Sequence, residues 1–314
     1  MKWHRLTAIL FLLISCGEEI ERILPPSVPT VAPTITVAPT ITAAPTITAA
    51  PTITVAPTIT AALDLGIGPL PAELDDWRSY ADRHIDVFGV HVVALPGVSE
   101  QALGHAAAVL AQYLDNDADG LADDQSVVRA MVAERATLVM AYDEDEMESS
   151  GIFESGLDSE YGLQDLYDVE TSPAGRFDAA LEEVHHLVYS YGWAVVHQNR
   201  LWFDGDTELT AAMDVARGGH FERIPTSYPS EAWYHYDDRT CTYDCMAVEY
   251  AYWAHTTLLG AQGSPNRCAE IAVEWVPCTP GRLAKMDPLV TALLRDPELG
   301  LPTVLPDGDY RPDS

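Results

Sequence analysis

Proline recurs every sixth residue, at positions 33, 39, 45, 51 and 57, inside five copies of Ala-Pro-Thr-Ile-Thr that fill residues 32–60. Each ring removes a backbone donor and pushes the preceding alanine toward extended conformations. Helix is excluded there, and a central strand is disfavoured. A six-residue period also suits a β-helix, but five repeats make fewer than two coils and carry no cap. The segment therefore reads as a semi-rigid stalk, advancing about 3.1 Å per residue. Any packed core must come from residues 63–314, a length suited to one domain.

The residues before the stalk suggest where it is fixed. Lys2 and Arg5 precede an apolar run from Ala8 to Ile14. That run is too short to span a bilayer and fits a removable export signal over residues 1–15. It ends in Leu13-Ile14-Ser15-Cys16, which resembles the lipobox of bacterial lipoproteins. The resemblance implies that Cys16 becomes a lipidated first residue. Residues 16–62 would then be a linker between the membrane and an extracytoplasmic domain. No other run is apolar enough to cross a membrane.

With Cys16 lipidated, Cys241, Cys245, Cys268 and Cys278 remain, an even count that in an exported chain suggests two disulfides. Their spacing does not match the paired CxxC of a zinc ribbon, and it does not choose among the three pairings. A formal charge of −31 argues against nucleic acid as a partner, because phosphates need basic surfaces. It suits a protein that holds cations. Residues 143–170 contain eleven acids and no Lys or Arg, and are expected to be solvated loop without a site.

Hydrophobic patterning predicts a mixed α+β domain. Residues 86–95 are β-branched and end at Pro-Gly, as a strand would. A helix capped by Ser99 follows, then a helix over residues 127–136 and a strand over residues 137–142. A further helix is expected from Ser172 and Pro173 to Gly192, and a last long one over about Tyr243 to Leu259.

Between the first two helices, Asp115, Asp117 and Asp119 alternate, Gly120 occupies the sixth position and Asp123 the ninth. Calcium takes six to eight oxygens, and alternating carboxylates around a glycine turn supply them, with the Leu121 carbonyl at the seventh position. The stretch resembles the loops of EF-hands and dockerin repeats. It differs at the twelfth position, where Ser126 stands in place of a bidentate glutamate, so Asp123 or Asp124 would have to compensate. A structural rather than regulatory Ca²⁺ is expected.

In Ala-Leu-Glu-Glu-Val-His-His, residues 180–186, Glu182 and His186 are four apart and share one helix face, with Glu183 beside them. At 100° per residue, Phe177, Leu181, Val184, Val188 and Tyr191 lie on nearly the opposite side, which leaves two readings for the acidic face. It is either plain solvent surface or a pair of metal ligands. Paired ExxH motifs, as in di-iron bundles, would need a second copy on another helix, and the chain has none. Glu182-Glu183-Val184-His185-His186 reads as EExxH, similar to the HExxH of zinc peptidases with glutamate for the first histidine. Glu249 stands alone in an apolar helix, where a buried carboxylate calls for a cation or hydrogen bonds. A ligand helix followed by a glutamate helix resembles the gluzincin metallopeptidases. That resemblance implies a zincin-like domain with Zn²⁺ on Glu182, His186 and Glu249, and with Glu183 activating water. His235 is a candidate oxyanion donor. The sequence thus leaves two functions open: a surface-anchored metallohydrolase of peptides or proteins, or a non-catalytic, calcium-stabilised binding module.

Overall fold

The computed structural model describes residue 63 and residues 65–172, 176–264 and 266–312. The export signal, Cys16 and the repeat stalk lie outside these residues. A four-stranded mixed sheet in the order β1-β2-β3-β4 organises the first half: β1 (Arg83–Val87), β2 (Val90–Ala94), β3 (Thr137–Ala141) and β4 (Leu163–Tyr167). β1 and β2 are antiparallel, whereas β2–β3 and β3–β4 are parallel.

The single strand expected over residues 86–95 is in fact a hairpin. Phe88 and Gly89 both take positive φ, 56° and 89°, and turn the chain in two residues. Turns of this kind match the twist of the strands they join. The β-branched run continues on both sides of the turn, so only Gly89 marks the break.

Parallel neighbours need crossovers. Helices α1 (Glu100–Leu114) and α2 (Gln125–Ala133) join β2 to β3, and α3 (Glu144–Ser150) joins β3 to β4. Ser99 caps α1 as expected, accepting from the Ala102 amide at 3.2 Å. Strand residues alternate between two cores. Val90, Val92, Leu138 and Met140 pack toward α1, and Val93, Val139 and Ala141 pack against Trp77, Met147 and Tyr161. The acidic segment 143–170 is thus not plain loop, because it carries α3 and β4. Gln164 and Asp165 of β4 are buried, which the charge of their surroundings conceals.

The second half is helical: α4 (Ala180–Val188), a π turn (Tyr189–Trp193), α5 (Ala194–Val196), α6 (Gln198–Leu201), α7 (Glu208–Arg217), α8 (Tyr243–Leu259), α9 (Arg267–Glu270), α10 (Pro280–Met286) and α11 (Pro288–Leu294). The start of α4 is later than expected. Ser172 sits at positive φ, and Asp178 Oδ1 accepts from the Ser172 amide at 2.8 Å and the Ala180 amide at 3.1 Å. Gly192 does not end the helix either. A Cβ there would lie 2.7 Å from Val127 Cγ1, so the glycine lets α2 cross closely. Two disulfides join neighbours in sequence, Cys241 to Cys245 and Cys268 to Cys278. Among the described residues, no helix is long and apolar enough to cross a membrane.

Candidate metal centres

Helix α4 leaves the sheet directly after β4 and packs against α8, which brings Glu249 over its polar face. Ligand-capable atoms of Glu182, His186 and Glu249 all lie within 4.8 Å of one another. His186 is 2% exposed and Glu249 6% exposed, so this face is not solvent surface. His186 Nε2 lies 3.5 Å from Glu249 Oε2, and its Nδ1 lies 3.5 Å from Glu183 Oε2. Glu183 therefore sits at the ring edge opposite the one that faces Glu249. Gln164 of β4 donates to Glu183 Oε2 at 2.7 Å, and the Tyr236 hydroxyl donates to Glu249 Oε1 at 3.2 Å.

Three carboxyls crowd one imidazole here, and burial raises the cost of each negative charge. Burial, with the nearby Glu249 carboxylate, pushes Glu182 up to about 7, although part of its side chain remains exposed. Burial also holds Glu183 well above the carboxylate range. Burial alone would lower His186, but Glu249 and Glu183 outweigh it and keep the ring protonated well above its ordinary value. Such a cluster holds protons where a cation could replace them.

His185 faces away into a separate, dry layer. Its Nε2 lies 3.2 Å from His255 Nδ1, and His255 Nε2 lies 3.0 Å from the Pro302 carbonyl. A carbonyl only accepts, so His255 carries its hydrogen on Nε2 and His185 donates to the free Nδ1. Both rings are neutral, since burial holds His185 well below its ordinary value and pushes His255 down to about 4. Tyr113, Tyr189 and Trp193 pack around them. The layer buttresses α4 from behind, and Tyr113 of α1 adds a hydrogen bond to the Leu181 carbonyl at 2.9 Å.

The structure does not bring His235 to the cluster through any contact it makes. Its ring meets Tyr228 edge-on at 5.3 Å, while Tyr234 and Tyr236 on either side are buried. In this alternating segment it is Tyr236 that reaches Glu249. Tyr236 and Gln164 escaped the sequence reading; the Tyr-His-Tyr alternation was the available signal for the first.

The aspartate loop joins α1 to α2 in helix–loop–helix form. Asp115, Asp117 and Asp123 place carboxylate oxygens within 4.8 Å of one another. Asp119 falls outside this group. Its Oδ1 turns back to accept from the Leu121 amide at 2.8 Å, and the Leu121 side chain is exposed. Gly120 takes φ 88°, the sharp turn expected of the sixth position. Asp124 does not compensate for Ser126, because it caps α2 by accepting from the Ser126 amide at 2.7 Å. Asp115 is fully buried and accepts from the Gly120 amide at 2.8 Å and from the Tyr310 hydroxyl at 2.5 Å. Burial raises both Asp115 and Asp123 above the usual carboxylate range.

Tyr310 belongs to a C-terminal strap whose role the sequence did not signal. Asn116 Oδ1 accepts from the Thr303 and Val304 amides, each at 2.9 Å, and Gln112 Oε1 accepts from the Gly308 amide at 2.8 Å. The same strap supplies the Pro302 carbonyl to His255. Beside the loop lies a water-sized cavity of about 10 Å³, lined by Tyr113, Asp123, Val127 and Trp193 among others.

No protein-family model, curated protein or solved structure matches this chain.

Proposed function

We propose that the protein is a metallohydrolase acting on peptides or proteins, held at the cell envelope by lipid on Cys16 and stabilised by calcium in the Asp115–Asp123 loop. The observation that carries this reading is the convergence of Glu182, His186 and Glu249 from two helices, with Glu183 on the far edge of the same imidazole. Two carboxylates and one imidazole suit a divalent transition ion such as zinc, and three protein ligands leave a coordination position for substrate or water. Zinc bound there supplies Lewis acidity and brings the pKa of water toward about 7.

The side chains divide the remaining work. Glu183 Oε2, 3.5 Å from His186 Nδ1, is placed to take the hydrogen there once an ion displaces the proton from Nε2. That would fix the tautomer and leave Nε2 for the ion between Glu182 and Glu249. Gln164 holds Glu183 in place. Tyr236 keeps one oxygen of Glu249 occupied, leaving the other directed at His186. In this arrangement Glu183 is a positioning group, and the water-activating role suggested by EExxH would require it to leave Nδ1.

Low exposure favours a second reading, in which the ion is structural and the domain is a non-catalytic binding module. Elemental analysis of protein purified without chelator, paired with a peptide-hydrolysis assay, separates the two. The hydrolase reading expects about one transition ion per chain, lost together with hydrolysis in Glu249→Gln. Stoichiometric metal without hydrolysis supports the module, and absence of a transition metal from folded protein defeats both metal readings.

A further inference from the structure

Arg217, the last residue of α7, is fully buried, and among the described residues no carboxylate forms an ion pair with it. Among the described residues its Nε and Nη1 have no hydrogen-bond partner, while Nη2 reaches Met246 Sδ at 3.0 Å and the guanidinium also lies close to the Tyr228 hydroxyl. Phe221, Tyr228 and Tyr243 surround the guanidinium, with ring centroids 5.3, 5.8 and 6.0 Å from its central carbon. The neighbouring Asp214 is engaged elsewhere: His220 lies 2.8 Å from one oxygen, and the Tyr243 hydroxyl donates to the other at 3.0 Å. In a chain with 48 acids and 17 basic residues, a guanidinium buried among aromatic rings rather than against a carboxylate is unusual among the described residues. Aromatic faces offset part of its desolvation, but two planar N–H directions still lack acceptors.

The position of this group relates it to the metal cluster. Met246 lies one helical turn before Glu249 on α8, a rise of about 4.5 Å. Tyr228 donates to the Tyr236 carbonyl at 2.8 Å, and Tyr236 in turn donates to Glu249. We propose that Arg217 anchors the carboxylate of a peptide-like substrate whose scissile bond is presented to Glu182, His186 and Glu249. This rests on the hydrolase reading above. Guanidinium is the side chain whose planar fork matches a carboxylate. Phe221 and Tyr228 are the cover that must shift to admit it. They lie on the segment after Gly218 and Gly219, much of which is exposed.

The test uses full-length protein freed of transition metal but kept in calcium, so that no probe can bind through a transition ion. N-benzoylglycine and its neutral amide are titrated calorimetrically, with the Arg217 Nε–H signal followed by ¹⁵N NMR. A chain of formal charge −31 repels anions at long range. A carboxylate preference is therefore diagnostic of a local anchor. The expected result is at least tenfold tighter binding of the carboxylate, a displaced Arg217 Nε–H resonance, and loss of the preference in Arg217→Lys. The NMR response of the wild type stands as evidence even if that variant fails to fold. Equal affinities, no binding of either probe, or an Nε–H signal that ignores the carboxylate overturns the proposal. Carboxylate binding in protein whose native form proves metal-free would uphold the anchor and defeat the hydrolase.

Discussion

Replacing His255 with glutamine should make the domain less sensitive to acid. In the wild-type protein burial pushes His255 down to about 4, against an ordinary value of 6.5. For a histidine lowered in this way, the stabilisation is present in full above pH 6.5 and drains away as pH falls toward 4. At roughly 1.4 kcal/mol per unit the whole effect is about 3 kcal/mol, of which about 2.5 kcal/mol is lost by pH 4.5. Glutamine supplies an acceptor for His185 Nε2 and a donor for the Pro302 carbonyl, but takes up no proton in this range. His185 titrates in both proteins, so only the difference between them is read. Urea denaturation at pH 7.5 and pH 4.5 should show the wild type losing about 2.5 kcal/mol more than His255→Gln. Equal losses would mean that the buried ring is not neutral, and the tautomer chain from Pro302 to His185 would be wrong.

Tyr310→Phe removes a hydrogen bond to the buried Asp115 carboxylate and should cost about 1.5–3 kcal/mol in calcium-free protein, by thermal or urea denaturation. An unchanged stability would show that the strap does not hold the loop. Millimolar calcium should raise the melting temperature of chelator-treated protein by mass action, and a transition indifferent to calcium would sink the loop as a site. Glu183→Gln should retain the fold but weaken transition-metal affinity about 10- to 100-fold, measured by competition with a chelating dye. Unaltered affinity would refute its positioning role. Cys16→Ser should move the protein out of the membrane fraction, and a mature mass without added lipid would refute the anchor.

Local chemistry was written plainly in the sequence. The Ser99 cap, the bounds of α8 and the turn at Gly120 depend on groups a few residues apart, and the structure places them as their spacing predicts, whereas Asp119 turns away from the group formed by Asp115, Asp117 and Asp123. The i, i+4 pair of Glu182 and His186 is placed as predicted too, because helix geometry alone puts them on one face. Whether that face met water was a different matter. α8 covers it, and the partners that complete the cluster arrive from far along the chain: Gln164 inside an acidic run, Tyr236 beside the more conspicuous His235, and Glu249 on another helix. The same limit hid the strap, whose Tyr310 lies 195 positions from Asp115. Periodicity reports which way a side chain points from its own element, while burial and partnership depend on which other element packs there. That is set by how the whole chain closes its core, so the pairing of Glu182 with His186 on one face could be read from the sequence and its surroundings only from the tertiary structure.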